Sequence, residues 1–404
     1  MNTLSFADAS RGCAFEEAAS AVRGAIKAPG LTAAAVRDGR VLVCAVGFDD
    51  EARGAAMTPQ HRMPGGSTGK SIFAATAALL AKSGAIALDQ PVSTWLGARD
   101  WFRRIANADA LTLRLLLSHA SGLPDHMGTP ALAQALAALF DAEGPDAWLT
   151  PEQALRFILD APALHAPGAG FAYSDTNYVL AGLAIEAATG ETLYDLAMRL
   201  VLAPLDLRAT EPAIARRALN LATGHIFGDA GARPFVGEGG GLRYSPRIEW
   251  AGGGFITAAT DLARFGWAYA SGRLGGVAPV AALNRFSWTQ GHVGGYGLGL
   301  FAARTSLGES YGHGGYFPGF QSQFAYFPRH DLCVAYQANA SQGFGGYAAV
   351  TEARTASAAT PPARDAPLSL QDDLCVMLAR ALVLREDAPG LHDEGRIGPV
   401  GEQR

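Results

Sequence analysis

The chain has 404 residues, 49% of them apolar and 17% charged, with a formal net charge of −5. That length fits one large domain or two intimately joined ones, and that apolar share excludes global disorder. No basic block is present to hold nucleic acid or an anionic membrane surface, and Lys82 breaks the longest candidate for a spanning run.

Residues 1–20 have no basic stretch followed by an apolar core, which reads as no export signal and a cytoplasmic location. Cys13, Cys44, Cys333 and Cys375 are scattered, so free thiols are expected and no metal site. Cys44 and Cys333 lie in apolar, strand-like runs and read as small buried hydrophobes. Residues 14–27 place Phe15, Ala18, Ala19, Val22 and Ile26 on one face, predicting an amphipathic helix. Residues 31–36 and 40–46 are apolar runs joined by Asp38-Gly39, a hairpin signal. Residues 48–64 are polar and turn-rich.

The next stretch, Gly65-Gly66-Ser67-Thr68-Gly69-Lys70-Ser71, reads in three ways. As the end of a phosphate-binding loop it needs a glycine five residues before Gly69; Pro64 stands there and has no N–H to offer. As the nucleophile elbow of an α/β-hydrolase it needs a buried strand running into the serine. Residues 57–64, with two prolines and four polar side chains, make a poor one. As S-x-x-K it agrees with the residues on its C-terminal side: Phe73, Ala77, Leu80 and Ala81 recur at helical spacing, so Ser67 opens a buried helix. Lys70 then shares a face with Ser67. The free N–H groups at the helix start suit a developing oxyanion. The plainer alternative is a serine cap before an exposed lysine.

Residues 89–290 carry almost no strand pattern. Helices are expected at 111–117, 131–140, 151–160, 176–189, 192–200 and 258–270, and a mobile Gly-rich loop at 228–245. Strand signal returns from 296 as YGLGLFAA, FQSQFAYF and LCVAYQAN, the last two joined by Pro328-Arg329-His330-Asp331. Residues 343–366 read as a linker, 368–384 as a closing helix and 386–404 as a frayed tail. Strands at both ends with helices between them predict an α+β fold, an antiparallel sheet flanked by helices with an all-α inserted lobe. Residues 1–90 with 290–385 form the sheet domain and 91–289 the helical lobe. A site is expected in the cleft between the two.

Serine is a weak nucleophile and needs a neighbouring base. Lys70 qualifies if burial or another cation lowers its pKa. A phenol is offered by Tyr173 in Phe171-Ala172-Tyr173-Ser174-Asp175, where Asp175 also reads as a helix cap. His313-Gly314-Gly315-Tyr316 reads as glycines leading into a strand, allowing close approach of an extended substrate.

Three motifs, STGK at 67–70, YSD at 173–175 and HGG at 313–315, occur in the order and rough spacing of the serine β-lactamase and penicillin-binding-protein superfamily. Residues 111–125, 173–190 and 251–265 more closely resemble its branch of class C β-lactamases, D,D-peptidases, D-aminopeptidases and esterases. The resemblance covers roughly residues 28–340. It implies a β-lactamase/transpeptidase-like fold and an acyl-enzyme on Ser67, with Lys70 and Tyr173 sharing the proton work. It implies an oxyanion hole from the N–H groups of Ser67 and Tyr316, and substrate contacts from Asp175, His313, Gly314 and Gly315. His313 is expected to face the substrate across the cleft. No cofactor or metal is implied.

Two departures bear on specificity. Asp175 stands where the second motif often has Asn; its carboxylate favours the Lys70 ammonium and offers no amide N–H₂ to a carbonyl. His313 stands where β-lactamases often have Lys, and a neutral imidazole holds a carboxylate less well. His119 and Asp125-His126 read as structural, and Trp250, Tyr244 and Phe227 as candidates for pocket lining or for core. The expected reaction is hydrolysis of an ester or amide of a small acyl substrate. Acyl transfer, D,D-peptidase, D-aminopeptidase or β-lactamase action, and a non-catalytic binding role are the alternatives.

Overall fold

The computed structural model describes residues 9–228, 231–280, 283–287, 293–341 and 367–383. Its frame is a nine-stranded sheet in which every neighbouring pair is antiparallel. In spatial order the strands are Ala55–Ala56, Arg40–Asp50, Gly30–Arg37, Leu332–Ala338, Phe320–Phe327, Gly308–Phe317, Phe301–Thr305, Val293–Tyr296 and Asn284–Ser287.

The first hairpin forms where Asp38 and Gly39 both take left-handed backbone, with φ of 51° and 72°. That turn matches the twist of the flanking strands. Gly30–Arg37 then alternates. Ala34 and Val36 join the core on one face of the sheet, while Leu31, Ala33 and Ala35 join the core on the other. The second face is covered by helices Ala9–Ile26 and Leu374–Val383, which pack on each other. The first face is covered by Thr68–Lys82 and Ala259–Ala270, whose core continues without a break into the helical segments.

Several expectations need correction. The region expected to be all helix also holds the short strands Glu211–Pro212, His225–Gly228, Gly231–Pro234 and Phe255–Thr257. The expected loop at 228–245 therefore includes half of a hairpin, His225–Gly228 with Gly231–Pro234. The run at 296–303 breaks at Gly297 into two strands. The His313 motif lies inside the Gly308–Phe317 strand rather than leading into one. The closing helix starts at Leu374, six residues later than expected, because 369–372 pair and bond with the sheet instead. The expected linker at 343–366 and tail at 386–404 lie outside the described residues.

Candidate active site

Ser67 sits at the start of helix Thr68–Lys82 and is 9% exposed. Two glycines set its position. Gly66 has φ of 54°, and a side chain there would press on the Tyr316 backbone. A side chain at Gly69 would drive into the Gly253 carbonyl, so only glycine lets the helix lie against that turn. This contact brings the Gly252 carbonyl to the side chain one turn into the helix.

That side chain is Lys70, fully buried. Its Nζ donates to Ser67 Oγ at 2.9 Å, to the Gly252 carbonyl and to the Asp175 carboxylate. Three partners satisfy its three protons. Burial works to lower the Lys70 pKa, but the charges of Asp175 and Tyr173 and their hydrogen bonds outweigh it and carry it above normal. Lys70 is an ammonium.

Tyr173 reaches the same point from the loop before helix Asp175–Thr189. Its ring centroid lies 5.2 Å from Lys70 Nζ. Its hydroxyl is buried and makes no well-formed hydrogen bond, yet lies close enough to Ser67 and Lys70 for both to act on it. Burial raises the phenol's pKa, and Lys70 pulls it down. Ser174 caps the helix and Asp175 is its first residue, a favourable place for a carboxylate. The Asp175 N–H donates to Asp125 Oδ1 at 3.0 Å, and Ser174 and Thr176 hydroxyls both donate to the Pro124 carbonyl.

The expectation for His313 is corrected. It is 2% exposed, its Nε2 accepts from the Tyr296 hydroxyl at 2.9 Å and its Nδ1–H donates to its own neighbour's carbonyl on Gly314 at 2.6 Å. It backs Tyr173, with ring centroids 6.1 Å apart, and does not line the cavity above Ser67. The alternation of a strand, not applied when the glycines were read as lying ahead of one, sends His313 inward. The 313–317 half of the strand extends past its pairing with Phe301–Thr305, which ends at Gly312.

Above Ser67 opens a cavity of about 250 Å³. Leu132, Leu136, Phe140, Val179 and Phe317 give it an apolar wall. Tyr316, from the sheet, also borders it, as do Asp175 and Glu249. Glu249 escaped sequence reading. Its Oε2 is buried without a hydrogen-bond partner, and burial, then the charge of Asp175, pushes its pKa up to about 8 against the pull of Lys70. Asp125 is raised for the same two reasons, and burial lowers His126 to about 4. Of the aromatic candidates Tyr244 lines the cavity, Trp250 packs on Gly182 and Phe227 belongs to the core beyond the sheet. Among the described residues no group of three or more His, Cys, Asp or Glu is placed to hold a metal ion, and no helix is long and apolar enough to cross a membrane.

A serine, an ammonium and a phenol thus meet at the floor of a cleft between sheet and helices. Residues 15–359 match the family described as Beta-lactamase. The chain belongs to the β-lactamase family. It is 29% identical over 305 residues to a D-aminopeptidase of Brucella anthropi, covering 74% of this chain and 53% of that protein. The chain spans about half the length of the curated relatives it matches. Among solved structures it resembles a D-stereospecific amidohydrolase from Streptomyces sp., with 27% identity, a TM-score of 0.69, and 84% and 97% of the two chains covered. It also resembles EstCE1, described as a hydrolase with promiscuous acyltransferase activity, at 25% identity, a TM-score of 0.66, and 87% and 99% coverage. This β-lactamase family member has the family's fold, a large antiparallel sheet with helices on its faces.

Proposed function

We propose that the chain is a serine hydrolase that cleaves an amide or ester of a small acyl compound through an acyl-enzyme on Ser67. The observation that carries this is the Lys70 ammonium donating to Ser67 Oγ on the floor of the cavity, beside the Tyr173 phenol. Because Lys70 donates to Oγ, the serine's own proton is free to leave in another direction. Tyr173, ionised beforehand with Lys70's charge favouring the phenolate, takes it and becomes the phenol. The Oγ–carbon bond forms, and the oxyanion is met by the N–H groups of Ser67 and Tyr316, each such donor being commonly worth about 3 kcal/mol. The bond to the leaving group then breaks, and Tyr173 returns the proton to the departing nitrogen or oxygen. Water repeats the sequence and releases the acid.

The cavity lining narrows the substrate. An apolar wall facing the Asp175 carboxylate and the neutral Glu249 carboxyl, whose carbonyl oxygen can accept a hydrogen bond, suits an acyl group that carries both an apolar portion and an ammonium, as amino-acid amides do. The likeness to a D-aminopeptidase and a D-stereospecific amidohydrolase supports that reading. Acyl transfer, with an alcohol or amine in place of water, uses the same residues, and the likeness to EstCE1 supports it as the second reading.

The experiment is intact-mass detection of an adduct on the chain after exposure to D- and L-amino-acid amides, p-nitrophenyl esters and β-lactams. An added mass equal to the acyl portion, absent from Ser67→Ala, is expected. No adduct with any of them, while product forms, overturns the acyl-enzyme. Adding methanol or an amine and looking for the transferred acyl group separates the two readings.

A further inference from the structure

Outside the groups assigned above, one buried side chain touches the machinery without a role. His119 is fully buried, and its backbone is left-handed with φ of 54°, an unusual conformation for histidine. It holds Tyr173 from both sides in sequence. The Ala172 N–H donates to the His119 carbonyl at 3.0 Å, and the Ser174 N–H donates to His119 Nδ1 at 3.3 Å. The ring also packs on the phenol, with centroids 4.3 Å apart and planes inclined by 36°.

These bonds fix the tautomer. A backbone N–H can only donate, so Nδ1 accepts from Ser174 and carries no proton. The Asn177 amide lies 3.0 Å from the same nitrogen as a second donor, its own oxygen accepting from the Ser121 hydroxyl, which accepts in turn from the Leu123 N–H. The imidazole proton is therefore on Nε2. That atom is buried and has no hydrogen-bond partner. Leaving such a group unpaired is destabilising. The groups that face it are Tyr173, Tyr178, Tyr296, Lys70 and His313. Burial first, then the charges of Lys70 and His313, keep the ring neutral by lowering its pKa far below normal.

Two buried polar atoms without a well-formed hydrogen bond thus sit on two touching rings: the Nε2–H of His119 and the hydroxyl of Tyr173. We infer that His119 is the positioning residue for Tyr173. Its ring and backbone fix the phenol over Ser67, and its N–H end favours the phenolate that takes the serine proton and becomes the phenol. This inference rests on the reading that Tyr173 handles that proton.

The test compares His119→Gln, which keeps an N–H donor, with His119→Phe, which keeps a ring but no N–H. Hydrolysis of p-nitrophenyl acetate is followed from pH 5 to 10, with active sites counted by the Ser67 acyl adduct. For His119→Phe, kcat per active site is expected to fall about 10-fold or more, with KM nearly unchanged and the acid limb displaced to higher pH. His119→Gln is expected to recover most of the rate and the original limb. Equal kcat per active site and an unmoved limb in His119→Phe would reduce His119 to a structural residue and overturn the inference. Should His119→Phe not fold, nitrogen-15 shifts of the wild-type imidazole decide. A neutral ring protonated on Nε2 throughout pH 5–9 supports the inference, and protonation on Nδ1 or at both nitrogens overturns it. If wild-type enzyme forms no adduct on Ser67, the underlying reading fails instead, a distinct result.

Discussion

Asp175 sets the charge of Lys70. Replacing it with Asn removes the carboxylate that raises both the Lys70 and the Tyr173 pKa, while burial of Lys70 continues to push its pKa down. The acid limb of the pH–rate profile of Asp175→Asn is therefore expected to move to lower pH; an unmoved or higher limb contradicts this charge assignment. The added amide is also expected to raise β-lactam acylation relative to ester hydrolysis, which paired rates on one enzyme batch will measure. Lys70→Met leaves Asp175 beside an apolar side chain, and loss of one partner of a buried pair costs about 3 kcal/mol. The double variant Lys70→Met/Asp175→Asn should recover much of that in denaturant melts, while remaining inactive. At this scale the sequence showed what local spacing encodes. Ser67 and Lys70 are three apart on a helix, and Tyr173 and Asp175 flank its partner helix's cap. Glu249 was missed and His119 was read only as structural because what matters in each is an orphaned atom, which only burial reveals.

The helix bearing Ser67 works because it lies directly on the turn at Gly252 and Gly253. Gly69→Ala forces the two apart, and overpacking of this kind costs about 1–3 kcal/mol. It should also remove the Gly252 carbonyl from Lys70, so activity is expected to fall further than the stability loss explains; folded protein with wild-type kcat would refute the packing argument. Helix Pro130–Glu143 is a contrasting element. Only Leu132 and Leu136 are buried, and Phe140 closes the cavity by stacking on Tyr244 with centroids 4.5 Å apart. Phe140→Ala should raise kcat/KM for bulky acyl esters relative to acetyl esters, without moving the melting temperature by more than a degree or two. Helices were legible here because their apolar period repeats over several turns. The Gly308–Phe317 strand was not: its glycines and polar residues give little strand signal of their own, and pairing with Phe320–Phe327 overrides that weak preference.

Across the whole molecule, the site joins segments that are remote in sequence, so its charge balance weighs on global stability. One buried cation, Lys70, faces Asp175, Asp125 and Glu249. Burial lifts Glu249 from its ordinary 4.5 to about 8, so across that window the folded chain keeps a proton that the unfolded chain has lost. Stability contributed by the neutral carboxyl is thus present at low pH and is lost as pH rises through about 8. Asp125, also raised, acts in the same direction. His126, lowered from 6.5 to about 4, acts in the opposite direction, because its unfolded form holds the extra proton between those values. Above pH 6.5 that opposing contribution is spent, and the carboxyls alone set the slope. Denaturant midpoints should therefore fall from pH 6.5 to 8.5 in the wild type. Glu249→Gln, which keeps the shape and abolishes the titration, should flatten this fall and be more stable at pH 8.5 by about 1 kcal/mol. Parallel curves for the two proteins would mean that the Glu249 carboxyl is hydrated and ionised in the folded chain, and would overturn its assignment as a neutral group.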